Sequence, residues 1–174
     1  MRIDRLELLA FGPFTEARLD LSKGAQGLHV IYGDNEAGKT SSLRALTQWL
    51  FGIPARSTDN FIHEYSQMRI GGRLRSQDGT ALAFQRRKAN KDSLRDAGGE
   101  EPLADDALLP FLGAVDRELF LRLYGIDHPR LVEGGREVLS PATGVGQALF
   151  GAAAGLGNLR KVLADLEAEA GALF

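Results

Sequence analysis

The chain has no cysteine, so disulfides and thiolate metal sites are excluded from the start. Its three histidines, His29, His63 and His128, stand far apart without ligand spacing, and no metal is expected beyond the Mg²⁺ that travels with a nucleotide. A dominant charge of one sign is also missing. The formal net charge of −2 gives no global pull toward nucleic acid or anionic lipid, although a local patch could still provide one. Long apolar runs are absent from the N-terminus, where Arg2, Asp4, Arg5 and Glu7 interleave with Ile3 and Leu6. That pattern fits neither a signal peptide nor a membrane span, so a cytoplasmic protein without a membrane partner is expected. Low-complexity tracts and internal repeats are likewise missing. What remains is a chain of 174 residues with 44% hydrophobic content, enough for one good core.

The most informative stretch is Gly33-Asp34-Asn35-Glu36-Ala37-Gly38-Lys39-Thr40, which fits G-x-x-x-x-G-K-[ST]. Glycines let backbone N–H groups converge on phosphate oxygens, Lys39 brings a compact positive charge to the β- and γ-phosphates, and the Thr40 hydroxyl is suited to ligate Mg²⁺. Ser41 follows in the first turn of the next segment. That helix would add the positive end of its dipole. Context supports the pattern. Leu28 to Tyr32 reads as a buried strand leading into the loop, and Leu43, Leu46, Trp49 and Leu50 recur at helical spacing behind it. The competing reading is a Gly-rich turn that binds nothing.

Around this loop the chain alternates short elements. Ile3 to Leu9 and Ala17 to Leu21 read as a hairpin closed by Phe11-Gly12-Pro13-Phe14. Gly52-Ile53-Pro54 stops the helix, and Ala55 to Gln67 reads as a polar loop. Met68 to Arg75 and Thr80 to Lys88 form a second hairpin, marked by Asp78-Gly79. Asn90 to Pro102 is expected to be a mobile connector. From Leu103 the period becomes helical, with Leu108, Leu112, Val115, Leu119 and Leu123 on one face. Leu159, Leu163, Leu166, Ala170 and Leu173 then trace an a/d seam. Two heptads also fit a lone amphipathic helix.

Hydrolysis normally needs a second motif, an apolar strand ending in an acid that holds Mg²⁺ and activates water. Leu109 to Asp116 is the nearest approach, but the helical spacing runs through it, so Asp116 reads more simply as a solvated helix residue. Leu131-Val132-Glu133-Gly134-Gly135-Arg136 echoes the Gly-Gly signature of ABC-type ATPases. It lacks the expected Ser, and an ordinary Gly-Gly turn is the simpler reading.

The order of these features resembles the N-terminal half of an SMC-like ATPase head, and in detail its SbcC/YhaN branch. Ala10 to Phe14, Gly33 to Thr40, Leu50 to Pro54, Ala81 to Arg87 and Leu149 to Leu156 carry the likeness. It implies an α/β P-loop NTPase fold: half of an ABC/SMC-like head with a mixed β-sheet, antiparallel hairpins and helices leading toward a coiled coil. Residues 1–157 would form the N-terminal lobe and 158–174 the start of the coiled-coil helix. ATP and Mg²⁺ are the implied cofactors. The implied partners are the C-terminal half of the same head, which brings the signature and the catalytic acid, a second head by dimerisation, a metallophosphoesterase-type nuclease, and duplex DNA. The implied work is DNA repair or DNA end processing, near the bacterial nucleoid, with this half alone inactive.

The likeness also implies a Q-loop glutamine sensing the γ-phosphate, yet Gly125 to Pro129 contains none. Asp127 or His128 could stand in, with Gln147 a weaker candidate; a loop cap is the alternative for that stretch. Glu36 falls where many relatives have Gly, and its carboxylate would repel a triphosphate unless turned away or met by a cation. Between Arg56 and Arg95 nine Lys/Arg face four acids, which suggests a DNA-backbone surface with Arg86, Arg87 and Lys88 at an exposed hairpin end. A solvated face is the plainer reading. Two other functions stay open: a stand-alone small P-loop NTPase or kinase using Asp116, and a nucleotide-independent interaction module.

Overall fold

A computed structural model describes residues 1–23, 28–125 and 127–139, and the chain divides into two compact units, Met1–Gly125 and Ile126–Phe174. In the first unit five strands form one sheet: β1 (Arg2–Phe11), β2 (Phe14–Asp20), β3 (Arg69–Arg75), β4 (Ala81–Arg87) and β5 (Leu94–Asp96). Their order is β2-β1-β3-β4-β5, and every neighbouring pair is antiparallel. The mixed sheet expected from the sequence is therefore not present among the described residues. Both hairpins form as read. At the first turn Gly12 takes a positive φ of 55° ahead of Pro13, whose ring fixes a negative one, and at the second Gly79 sits at 90°.

Alternation gives the sheet two unlike faces. Leu6 and Leu8 of β1, Ile70 and Leu74 of β3, and Phe84 of β4 are buried on the inner face. Helix α1 (Lys39–Phe51) packs there through Ala45, Trp49 and Leu50. Gly72 makes this seating possible. A Cβ at that position would stand 2.5 Å from both Arg5 O and the Trp49 ring. The indole instead lies flat on Phe84, with ring centroids 4.5 Å apart, and donates from Nε1 to Phe84 O at 3.3 Å. Gly52, at φ 103°, ends the helix as the sequence predicts.

Four expectations fail in this unit, each for a local reason. Leu28 to Tyr32 takes no strand pairing among the described residues, and Leu28, Val30 and Tyr32 are 86%, 76% and 91% exposed. A short, largely apolar run makes a strand only beside a partner strand, and none lies there among the described residues. The supposed mobile connector adds β5 to the sheet, and its turn is closed by Asp96, which accepts from the N–H groups of Glu101 and Glu100. Those bonds hold the Asp96 carboxyl below its ordinary range. The single helical face after Leu103 is broken into α2 (Leu109–Leu112) and α3 (Arg117–Leu123). Gly113, at φ 58°, ends α2, and Asp116 starts α3, so Phe120 is buried while Leu119 and Leu123 are exposed.

The fourth is Arg86, which is buried under α1 rather than exposed at a hairpin end. Its Nε and Nη2 donate to Trp49 O at 3.1 Å and Leu50 O at 3.0 Å, and Nη1 to Ser93 Oγ at 3.1 Å. It therefore occupies the carbonyl end of the helix, where the last acceptors lack partners and cations are favoured. Burial pushes the guanidinium below its ordinary value, opposed by the Asp105 carboxylate. Lys88 is also engaged, donating to Pro54 O and Ala55 O and lying 4.5 Å over the Tyr65 ring.

In the second unit, α4 spans His128–Leu139. Gly134 and Gly135 lie inside this helix, so the turn read from them is absent. The seam at Leu159 to Leu173, the 157/158 boundary, the Leu149 to Leu156 segment and Gln147 lie outside the described residues.

Candidate nucleotide-binding site

The phosphate loop runs from Gly33 to Gly38 and delivers Lys39 as the first residue of α1. Gly38 takes φ 89°, and a Cβ there would stand 2.4 Å from Phe14 Cζ, so this glycine is required by both conformation and packing. The β1–β2 hairpin thus supports the loop from behind. Ser42 N–H donates to Gly38 O at 2.8 Å, while the earlier N–H groups at Lys39, Thr40 and Ser41 have no partner within the helix. Lys39 Nζ donates to Gly33 O at 2.7 Å and Asp34 O at 2.6 Å, folding back across the loop. Thr40 is exposed, free to reach a metal-bound phosphate.

A cleft of about 340 Å³ opens over this helix start, lined by Asn35, Glu36, Gly38, Lys39, Thr40 and Ser41 of the predicted set. Pro13 and Phe61 complete it, and the sequence reading missed both as site residues. Pro13 lies in the first hairpin turn, and Phe61 is an exposed ring in a polar loop that also carries Tyr65; either signal could have been followed. Among the described residues Glu36 brings the one carboxylate to the lining, and it holds φ 67°, a left-handed conformation that suits glycine.

Behind the loop, Asp59 is 1% exposed and joins three segments. It accepts from Arg44 Nη2 at 2.6 Å, Arg44 Nε at 3.0 Å and Gln48 Nε2 at 3.0 Å, and its own carbonyl accepts from Gly12 N–H at 2.9 Å. Arg44 Nη2 also donates to Ser41 Oγ at 3.1 Å. Helix α1, the hairpin turn and the loop after Pro54 are tied together at the edge of the cleft.

The other candidates have structural roles. Asp116 caps α3, accepting from Leu119 N–H at 2.7 Å. Asp127 caps α4, accepting from Arg130 N–H at 2.9 Å, and His128 is its exposed first residue. Among the described residues no cluster of His, Asp or Glu forms a ready metal site, and no helix is long and apolar enough to cross a membrane.

Comparison with known proteins accords with this geometry. A family model described as an AAA domain matches residues 1–174. The chain belongs to this ATPase-domain family. It is also similar to the uncharacterized protein YhaN of Bacillus subtilis (strain 168), 32% identical over 131 residues. That match covers 73% of this chain and 13% of the relative, so the chain spans a small part of the protein it resembles. The resemblance to the N-terminal region of an SMC/SbcC-like ATPase is thereby supported, and the fold is that of a P-loop NTPase.

Proposed function

We propose that this chain is the ATP-binding N-terminal half of an SMC/SbcC-like ATPase head, and that hydrolysis requires a C-terminal half to complete it. The observation that carries this is the open helix start: a loop with Lys39 and Thr40 at its end, unpartnered N–H groups, and a cleft above them. A bound phosphate would draw the Lys39 ammonium from its two carbonyl acceptors to anionic oxygens, and Thr40 would supply a hydroxyl for Mg²⁺. Among the described residues no acid stands out to activate water, since Asp116 is engaged as a cap and Glu36 lines the cleft that would hold the phosphates.

Two features support a completing half. The exposed segment Leu28 to Tyr32, directly before the phosphate loop, has no strand partner among the described residues, as a strand would that awaits a neighbour. Beside His29 a groove of about 810 Å³ is lined by Ile3, Leu46, Phe111, Val115 and Phe120, apolar surface of the kind a partner covers. A second head, a metallophosphoesterase-type nuclease and duplex DNA are the further partners of this reading, and DNA repair or end processing is its biology. For DNA, the sheet's outer face is the favoured surface. Register places Arg69 opposite Arg87 and Arg73 opposite Arg5 there, with exposed Arg18 on β2.

Calorimetry with Mg-ATP tests the core of the proposal. Lys39→Ala removes charge-assisted phosphate contacts of roughly 2–3 kcal/mol, hence about 30- to 150-fold in affinity. Equal affinity in both versions would refute the role of Lys39, and steady turnover by the unmutated chain alone would refute the half-head.

A further inference from the structure

The loop after Pro54 is fixed on both sides of Phe61. Two residues before it, Asp59 is buried against Arg44 and Gln48 of α1. Two residues after it, His63 Nε2 lies 2.8 Å from Phe14 O and 3.1 Å from Thr15 Oγ1. Between these anchors the Phe61 ring is nevertheless 60% exposed. Scattered exposed apolar residues are ordinary on a surface and need no explanation. This one differs in where it stands, because it opens onto the phosphate cleft and is the one aromatic ring among the described residues lining it.

Its position relative to the helix start is also defined. A methyl added at Gly12 would stand 3.4 Å from Ser41 Cβ and 3.6 Å from Phe61 Cζ, so ring tip and first helical turn flank the same glycine. Pro13 lies next to it in the cleft wall. An anion cradle and a flat apolar face, side by side on pre-ordered backbone, match a ligand with phosphate at one end and a π-system at the other. Inorganic phosphate or a sugar phosphate would leave the ring in water.

We propose that Phe61, with Pro13 beside it, is the platform on which the base of the bound nucleotide stacks. Phe61 has this role only if the loop holds a nucleotide, and so it rests on the reading above. Because Asp59 and His63 already fix the backbone, stacking orders little more than one side chain. The ring offers a face and no hydrogen-bonding edge, so its contribution depends on the base being present and not on the phosphates.

The test compares Mg-ATP with Mg-tripolyphosphate, which carries the same phosphate chain and no base, by calorimetry on the 174-residue chain. Phe61→Ala should lower ATP affinity about 10- to 100-fold and leave tripolyphosphate binding unchanged. Phe61→Tyr, which keeps the ring, should restore ATP binding, whereas Phe61→Leu, which keeps apolar bulk, should not. An equal fall for both ligands would show that the ring acts on the phosphate loop and overturn the platform. Unchanged ATP affinity in Phe61→Ala, or full rescue by Phe61→Leu, would overturn it as well. Lack of tripolyphosphate binding by the unmutated chain would instead remove the phosphate site itself, and the platform with it.

Discussion

Glu36 combines a left-handed backbone with a carboxylate in the lining of an anion cleft. Both properties bear on Glu36→Gly. Relief of the left-handed conformation is worth about 1 kcal/mol, and the added freedom of glycine in the unfolded chain costs a similar 0.5–1 kcal/mol. Stability should therefore move by less than about 1 kcal/mol in chemical denaturation. Affinity should move more clearly. Removing a like charge near a surface phosphate takes away roughly 1 kcal/mol of repulsion at an intermediate dielectric, so calorimetry should show ATP binding tightened about 3- to 10-fold. A weaker complex would mean that the carboxylate meets the metal instead. The phosphate loop was legible because its chemistry is written in contiguous residues. Phe61 was not, since its relation to Ser41 arises only when a distant turn at Gly12 brings the two together.

At the scale of elements, α1 is closed at its carbonyl end by Arg86, and α3 is opened by Asp116. Arg86→Met would leave Trp49 O and Leu50 O without their donor inside the core, but it also removes a charge that burial disfavours. The first effect is the larger, at about 1–3 kcal/mol for each stranded acceptor, so denaturation should report a net loss near 2 kcal/mol. Asp116→Ala should cost about 1 kcal/mol as a lost N-cap and leave ATP affinity unchanged in calorimetry. A large fall in Mg-ATP binding would revive Asp116 as a metal ligand. Both roles had a trace in the sequence. Arg86 alternates in phase with Leu82 and Phe84, which puts it on the inner face, and Asp116 stands three residues after Gly113 at a break in the helical run. The local excess of positive charge hid the first, and the persistence of leucine spacing hid the second.

For the whole molecule, the two hairpins and α1 could be read because each is specified by residues within a few positions of one another. Leu28 to Tyr32 could not, because a strand's existence depends on a neighbour that these residues do not encode. The sheet's outer face also emerges only with register, which gathers Arg69, Arg73 and Arg87 onto one side and turns Arg86 to the other. If that face meets duplex DNA in the completed head, the triple change of Arg69, Arg73 and Arg87 to Ala should flatten the log-log salt dependence of binding by up to roughly 2–3 units. Arg86→Met should leave that slope alone, and an unchanged slope in the triple variant would move any DNA contact elsewhere. Trp49 has a further consequence, which is optical. It is the chain's single tryptophan, fully buried on Phe84 near the end of α1 remote from Lys39. Its emission therefore arises from a dry, fixed environment and shifts to longer wavelength only when the helix leaves the sheet. Filling the phosphate loop should not disturb it. The protein thus carries an intrinsic signal that separates variants which unseat α1 from those which alter the nucleotide site alone.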